Sequence, residues 1–337
     1  MSNVNYSTLP EDADACVTYT IRDCLSGNKI HTAKDTSNEQ LHYQTGLLNP
    51  RARIMTNPYR PLNIVVALAR FVWMISANNR VEDIAFYEPK VRGFSDDGLT
   101  VPGSDYGLRL FQPRPGLNQI QGVINRLNEN PLSRQAAAVV WQPEDAARAD
   151  GSLGDIPCTH GLFFHVRDLS LTMAVTMRSN NAFRILPFNI FEFTMLQELV
   201  ATEISRSMGP YKVWAASMHT YENERETEPT SEIGRCDPAT SIIMPPMPPN
   251  SMEQAFIVAR LEASARHAGT ANELSSIWRE AEDTLDSYWL ELLGVLFTYI
   301  AAKRNWYWAW SSAVPSYLLE PVQQAIQKMF QGVSVNG

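Results

Sequence analysis

One segment of the chain, residues 155–221, carries several side chains that could act together in catalysis. Cys158 precedes an apolar run of strand length, and Arg178 and Ser179 follow twenty residues later. A thiolate is a strong nucleophile even when little of it is ionised, and a neighbouring guanidinium lowers the pKa of a thiol and can also bind phosphate. The segment adds an amide at the start of a helix and a pair of side chains that could bind a hydroxyl group: Asn189, His219 and Tyr221.

The order of these motifs resembles that of thymidylate synthase and its relatives, the pyrimidine-monophosphate hydroxymethylases. The family pattern is Pro-Cys, then Arg-Ser, then Pro-Phe-Asn and finally His-x-Tyr, and all four pieces occur here in that order. Weaker matches lie upstream, at a Tyr-Gly motif in residues 103–109 and at residues 130–134, which resemble a segment that reaches into the partner subunit. Residues 49–53 resemble the hydroxymethylase branch. The resemblance covers about residues 45–225.

The resemblance implies a role for each matched residue. Cys158 would add to C6 of a pyrimidine, which makes C5 nucleophilic toward a one-carbon donor. Tyr106 would handle the proton at C5. Arg134 would reach the 5′-phosphate from the other subunit, and such a shared site implies a homodimer. The other substrate-binding residues would hold the phosphate, the sugar and their surroundings: Arg178, Ser179, Asn181, His219 and Tyr221.

The identity of the base depends on Asn189, the third expected catalytic residue. Its amide offers both a donor and an acceptor, so it can satisfy O4 and the N3–H group of uracil together. Cytosine-selective relatives commonly have Asp at this position. The sequence therefore favours dUMP, while an amide that turns over could still accept cytosine.

Four positions depart from the family pattern. The family places a catalytic Glu three residues before a Trp in its first long helix, whereas Arg70 precedes Trp73 here. An arginine cannot accept the protons that this Glu transfers. We expect Arg70 to reach solvent or to pair with Glu82 or Asp83. The other three departures are Asn181 in place of Asp, Ile185 in place of Gly, and Gln135 in place of a second Arg.

These observations predict a folate-dependent C5 hydroxymethyltransferase that uses dUMP and 5,10-methylenetetrahydrofolate. True thymidylate synthases end in a short apolar tail that closes over folate and shields hydride transfer, whereas residues 331–337 follow a helix here and do not resemble that tail. Without such a lid, we expect hydroxymethylation, which water completes, rather than methylation. Bacteriophage synthesis of modified pyrimidines is one setting for such an enzyme.

Three alternatives remain open. A dCMP hydroxymethylase and a thymidylate synthase would keep the same Cys–C6 chemistry. A catalytically impaired paralogue that binds nucleotide and completes a heterodimer belongs to a different functional class, and Arg70 is the observation that favours it.

Composition excludes several other classes of protein. The 337 residues include 28 basic and 36 acidic residues, which give a net charge of −8 and argue against a nucleic-acid partner. The most apolar stretch, residues 288–302, is 15 residues long, shorter than the ~20 that span a bilayer. Residues 1–11 are polar and lack the apolar core of a secretory signal, so we expect a cytoplasmic protein without a membrane partner. Histidines and cysteines are not at metal-ligand spacing, so we expect no metal site.

The predicted helices and strands that must position these residues indicate a mixed α/β or α+β fold. The resemblance implies a thymidylate synthase-like mixed sheet surrounded by helices. We expect a catalytic domain over residues 1–245 and a helical C-terminal extension over 246–337, with a single long apolar stripe from 274 to 296. Residues 88–116 are rich in Gly, Pro and Asp and predict a loop, and Pro61 suits the first position of a helix. Periodicity predicts strands at 136–141, 162–167 and 171–177, and helices at 64–75, 117–128 and 189–205.

Overall fold

The computed structural model of the chain describes residues 9–32, 35–147, 155–223, 225–306 and 313–331. Within these residues, seven strands form one mixed sheet: β1 (Asn28–His31), β2 (Thr36–Leu47), β3 (Ala137–Val139), β4 (Thr159–Arg167), β5 (Ser170–Met177), β6 (Asn180–Asn181) and β7 (Ser207–Tyr221). Their order is β1-β2-β7-β5-β4-β3, and β6 pairs with β7. The β5–β7 and β6–β7 pairs are parallel, and the other pairs are antiparallel.

Helices surround this sheet, which confirms the predicted fold class. The helices before the last strand are α1 (Ala13–Leu25), α2 (Ile64–Ile75), α3 (Val81–Ala85), α4 (Tyr106–Phe111), α5 (Gln119–Glu129), α6 (Pro143–Ala147) and α7 (Leu186–Glu203). The helices after it are α8 (Thr227–Arg235), α9 (Ser251–His267), α10 (Ala271–Thr284), α11 (Ser287–Lys303) and α12 (Leu319–Gln331).

The hairpin of β4 and β5 explains why the predicted nucleophile and the predicted phosphate ligand lie twenty residues apart. Its turn, Asp168 and Leu169, has positive φ angles of 49° and 64°, as in the two-residue turns that match the twist of a hairpin. Thr159 pairs with Met177 at the opposite, open end. The residues just outside that pair, Cys158 and Arg178, therefore lie side by side.

The predicted helices over residues 64–75, 117–128 and 189–205 correspond to α2, α5 and α7. In α2, Asn63 accepts a hydrogen bond from the backbone N–H of Val66, as an N-cap does. Almost every residue of α7 is buried, because the helix lies between the sheet and the other helices. A helix buried on all sides has no amphipathic stripe.

Several local predictions were wrong. The helix begins after Asn63, so Pro61 is not its first residue. Residues 88–116 are not all loop, since they contain a 3-10 turn over Pro89–Phe94 and the helix α4. The apolar stripe of residues 274–296 divides between α10 and α11, because Asp286 caps a new helix through the N–H of Trp289.

The C-terminal helices pack on α2 and α7, and their apolar residues join the same hydrophobic core as the rest of the chain. Thr270 caps the start of α10, since its side chain accepts from the N–H of Glu273. A salt bridge between Arg266 of α9 and Asp83 of α3 also links the extension to the remainder. Among the residues that the structure describes, no helix is both long enough and apolar enough to cross a bilayer.

Gly107 sets the distance between α4 and α2, because a Cβ at this position would lie 1.9 Å from the carbonyl oxygen of Met74. We expect Gly107→Ala to lower the free energy of unfolding by about 2–3 kcal/mol, since the obstacle is backbone rather than a movable side chain. Gly122→Ala is the matched control. A Cβ there meets open space within α5, so this substitution should stabilise the protein by about 0.5–1 kcal/mol. Urea unfolding measures both, and equal stability of the two variants would contradict the prediction.

Candidate active site

Cys158 and Arg178 lie side by side at the open end of the β4–β5 hairpin. The backbone N–H of Arg178 donates to the carbonyl oxygen of Cys158 over 2.8 Å. The Arg178 side chain turns back along the same segment, where Nε donates to Pro157 and Nη2 donates to Ile156, over 2.9 and 3.0 Å. The exposed Arg178 guanidinium thus braces the loop that carries Cys158, which is itself half-buried.

The strand β6 places Asn181 beside His219 on β7, in parallel register. The rings of His219 and Tyr221 are in edge contact, with centroids 4.9 Å apart. Because Ser179 directly precedes β6, it lies between this pair and the Cys158–Arg178 end of the hairpin. The structure therefore brings the residues of this chain that are predicted to bind phosphate and sugar to one end of the central strands.

The amide of Asn181 is committed to the protein itself. Its Oδ1 accepts from the backbone N–H groups of Phe183 and Arg184, which shapes the turn into α7. Its Nδ2 donates to Glu226 over 3.2 Å. Glu226 is fully buried, also accepts from the N–H of Tyr221 and pairs with Arg184. The sequence did not single out Glu226, since its only signal is an acid thirty-seven residues after Asn189 along the chain.

Asn189 lies in the first turn of α7, where it is 2% exposed. Its side-chain Oδ1 accepts no hydrogen bond from any residue that the structure describes. A buried amide oxygen without a donor costs about 1–3 kcal/mol. The position therefore favours a ligand that presents a hydrogen-bond donor to this oxygen.

Tyr106 reaches the same region by way of the segment before α4. A Cβ on Gly103 would lie 2.0 Å from the carbonyl oxygen of Asp155, and the N–H of Ser104 donates to the Asp155 carboxylate, so the two segments are in close contact. The Tyr106 ring stacks on Phe193 of α7, with centroids 5.9 Å apart. Burial raises the pKa of Tyr106, and negative charge on the nearby Cys158 raises it further.

Arg70 lies between two carboxylates and not beside the acids that the sequence suggested. Its Nε donates to Glu88 over 2.8 Å, and its Nη1 lies 3.6 Å from Oε1 of Glu192. The guanidinium carbon also sits 4.7 Å from the centre of the Phe188 ring. The predicted pairing with Glu82 or Asp83 is wrong, because Asp83 bonds to Arg266 of the C-terminal extension.

Glu192 is a residue that the sequence interpretation missed. It is 6% exposed and lies three residues after Asn189, so both side chains share one face of α7. Burial raises the pKa of its carboxyl to about 7, since the opposing effect of Arg70 is weakened by the charge of Glu88. A lone carboxylate in the otherwise apolar run after Pro-Phe-Asn was the signal that could have identified it.

Arg134 does not join this cluster within one chain. It is exposed in the turn between α5 and β3. The backbone of Phe164 pairs with Ala136, two residues after Arg134, and Phe164 lies six residues beyond Cys158 along β4. At about 3.3 Å per residue, that separation is about 20 Å. Ile185, which replaces a family Gly, caps α7 with an ordinary φ of −110° and is half-buried.

Comparison with known proteins adds independent information on this arrangement. A profile of the thymidylate synthase family matches residues 60–241, which are 182 of the 337 residues. A deoxyuridylate hydroxymethyltransferase of Pseudomonas phage M6 is 33% identical over 184 residues, covering 53% of this chain and 50% of that protein. One of Delftia phage PhiW-14 is 28% identical over 185 residues, covering 52% and 50%.

A more distant relative is a thymidylate synthase of Bacillus licheniformis, which is 28% identical over 124 residues, covering 35% of this chain and 43% of that protein. The chain spans about half the length of these phage relatives.

Proposed function

Because this chain belongs to the thymidylate synthase family, we propose that it transfers a one-carbon unit to C5 of dUMP and forms 5-hydroxymethyl-dUMP. The observation that carries the choice of base is the buried Oδ1 of Asn189, which lacks a donor among the described residues. The N3–H group of uracil is a donor, whereas N3 of cytosine is an acceptor. The names of the two phage relatives, deoxyuridylate hydroxymethyltransferases, favour the same base.

In the proposed reaction, the Cys158 thiolate forms a bond to C6, and the electron pair of the C5–C6 double bond moves toward C4 and O4. The co-substrate, 5,10-methylenetetrahydrofolate, supplies the one-carbon unit that C5 attacks. Tyr106 then passes the C5 proton to water as a neutral phenol, because its raised pKa disfavours a standing phenolate. As this proton leaves, the bond between the transferred carbon and the folate nitrogen breaks, so tetrahydrofolate departs and an exocyclic methylene group remains on C5. Water adds to the new exocyclic carbon as the bond to Cys158 breaks, which gives the hydroxymethyl group and regenerates the thiolate.

The nucleotide would bind at this end of the central strands. Arg178 and Ser179 would hold the 5′-phosphate, and His219 and Tyr221 would bind the 3′-hydroxyl of the sugar. Asn181 would support the site indirectly, since its amide already bonds to the turn before α7 and to Glu226. The exposed Arg134, about 20 Å from Cys158 along the sheet, fits a homodimer in which each subunit completes the other's phosphate site.

Hydroxymethylation is proposed over methylation because the phage relatives, which match about half of this chain, carry that name. The C-terminal residues 332–337, on which the expected absence of a folate lid depends, lie outside the described residues. We also propose residues 1–245 as the catalytic part of the chain and the helices after residue 246 as an extension that supports α2.

The experiment is incubation of the purified protein with dUMP and 5,10-methylenetetrahydrofolate, followed by mass spectrometry of the nucleotides. The proposal expects a product heavier than dUMP by one CH2O unit. A product heavier by one CH2 unit would instead identify a thymidylate synthase. Conversion of dCMP in preference to dUMP would overturn the assignment of the base.

Arg70 favours one second candidate, a nucleotide-binding paralogue without turnover, since it replaces the family's catalytic acid. The same incubation separates the two functions. Tight binding of dUMP with no product under saturating folate would support the binding role and overturn the enzymatic one.

A further inference from the structure

Arg70 on α2 stands at the position of the family's catalytic Glu, and the carboxylate of Glu192 faces this arginine from α7. We infer that Glu192 is the proton-transfer residue for the pyrimidine base in this chain, and that Arg70 is the residue that positions it. This inference rests on the proposed function.

The first support is geometric. Asn189 and Glu192 are three residues apart on one helix, and each has a buried side-chain oxygen that lacks a hydrogen-bond donor among the described residues. The Nη1 of Arg70 is 3.6 Å from Oε1 of Glu192, which is too far for a hydrogen bond. Two such oxygens, one helical turn apart, form a polar cradle at the place where Asn189 is assigned to the base.

The second support is the position of the cradle relative to the other reacting groups. The Tyr106 ring stacks on Phe193, the residue after Glu192, with centroids 5.9 Å apart. Charges on both Cys158 and Glu192 raise the pKa of Tyr106, which places all three side chains in one electrostatic neighbourhood. Tyr106, the residue assigned to the C5 proton, therefore lies beside the turn of α7 that carries Glu192.

The third support is the asymmetric pairing of Arg70. Its guanidinium bonds at hydrogen-bond distance to Glu88, over 2.8 Å, and only loosely to Glu192. Arg70 therefore pairs mainly with Glu88. The Glu192 carboxyl can then hold or release a proton near neutral pH. A tight Arg70–Glu192 pair would have fixed Glu192 as a permanent carboxylate.

As Cys158 Sγ forms its bond to C6, the electron pair of the C5–C6 bond moves to form a C4–C5 double bond, and the negative charge develops on O4. The protonated carboxyl of Glu192 gives its proton to O4, directly or through one water, and becomes a carboxylate that Arg70 stabilises. When C5 then forms its new bond and the C4–O4 double bond is restored, the same carboxylate takes the proton back.

The test is hydrogen exchange at C5 of dUMP in deuterated water, followed by NMR. This exchange needs addition at C6 and proton transfer at C5, but no one-carbon donor. We expect Glu192→Gln to slow exchange at least about 100-fold, the lower range for general acid–base catalysis, while dUMP affinity changes by less than about threefold. Glu203→Gln, the same change near the end of α7, is the matched control and should exchange at the wild-type rate.

A pH profile distinguishes proton transfer from a structural role. The charged or titratable groups that interact with Glu192 are Arg70 of α2, Glu88, Tyr106 of α4 and Tyr211 of β7. Because the charge of Glu88 raises the pKa of Glu192, Glu88→Gln should move the high-pH decline of exchange to lower pH. This variant reports on Glu192 even if Glu192→Gln fails to fold.

The outcomes separate the inference from the proposed function. Exchange by Glu192→Gln within fivefold of the wild-type rate, or an unmoved profile in Glu88→Gln, would overturn the role of Glu192 alone. Absence of exchange in the wild-type protein would instead overturn the thiolate addition on which the proposed function depends.

Discussion

Cys158→Ser is expected to reduce formation of 5-hydroxymethyl-dUMP by at least about 10⁴-fold, since a serine hydroxyl ionises far less readily than a thiol and no general base is assigned to activate it. The binding of dUMP should change by less than about threefold. Cys158 is half-buried at the open end of a hairpin whose backbone pairing does not depend on the side chain.

The measurement is product formation by mass spectrometry, together with calorimetric titration of dUMP. Cys236→Ser is the matched control, because Cys236 is also half-buried but follows α8, away from the hairpin end. Product formation by Cys158→Ser at more than about one hundredth of the wild-type rate would contradict its assignment as nucleophile.

Arg70→Glu is expected to impair the protein and not to supply a working catalytic acid. The substitution would place a third carboxylate between Glu88 and Glu192, remove the cation that lies 4.7 Å from the Phe188 ring centre, and leave the buried Glu192 without its partner. Loss of one member of a buried ion pair costs about 3–5 kcal/mol. We therefore expect a loss of about 3 kcal/mol in the free energy of unfolding and lower turnover.

The pH dependence of this loss follows from the sign of the pKa changes. Three adjacent carboxylates repel one another, so their pKa values in the folded variant rise above the unfolded values of about 4.3. Folding then favours the protonated forms, and the destabilisation is greatest at pH 8 and decreases as the pH falls toward 5. Arg70→Met, which removes the cation without adding an acid, should be less destabilised than Arg70→Glu at pH 8. Urea unfolding at the two pH values measures this, and a gain of turnover in Arg70→Glu would contradict it.

Much of the fold followed from local patterns. The period of residues 162–167 and 171–177 predicted the two strands of the β4–β5 hairpin. The apolar run of residues 64–75 predicted α2, although Pro61 does not begin that helix. Motif order predicted the family, which the profile match confirms. These features could be predicted because hydrophobic periodicity, turn residues and short motifs each lie within one segment of the sequence.

The first helix shows where local pattern failed. Periodicity predicted no helix before residue 64, yet α1 buries Cys16, Val17, Ile21 and Cys24. The buried face of α1 includes threonines and cysteines as well as apolar residues. It is therefore well packed although its sequence is only weakly hydrophobic. Cys16 also forms a hydrogen bond of 3.3 Å with Thr45 of β2, a contact that the hydrophobic periodicity of one segment cannot predict.

The parts of the site that sequence could not predict depend on contacts between distant segments. Arg70 and Glu192 are separated by more than a hundred residues, and only the packing of α2 on α7 brings them together. The same holds for Glu226, which bonds to Asn181 and Tyr221 from a loop that no motif marks. Spacing along the chain identified residues that belong to one motif. It could not identify residues from different elements that form an ion pair or a hydrogen bond in the folded protein.

The covalent bond between Cys158 and the pyrimidine is the central claim, and 5-fluoro-dUMP tests it most directly. Fluorine at C5 cannot leave as the proton does, so the complex with 5,10-methylenetetrahydrofolate should stop while Cys158 is still bonded to C6. Peptide mass spectrometry should then find the nucleotide on the peptide that contains Cys158 in the wild-type protein and in Cys236→Ser, and on no peptide of Cys158→Ser. An unmodified Cys158 after incubation with both compounds, or an adduct on a different residue, would contradict the proposed mechanism.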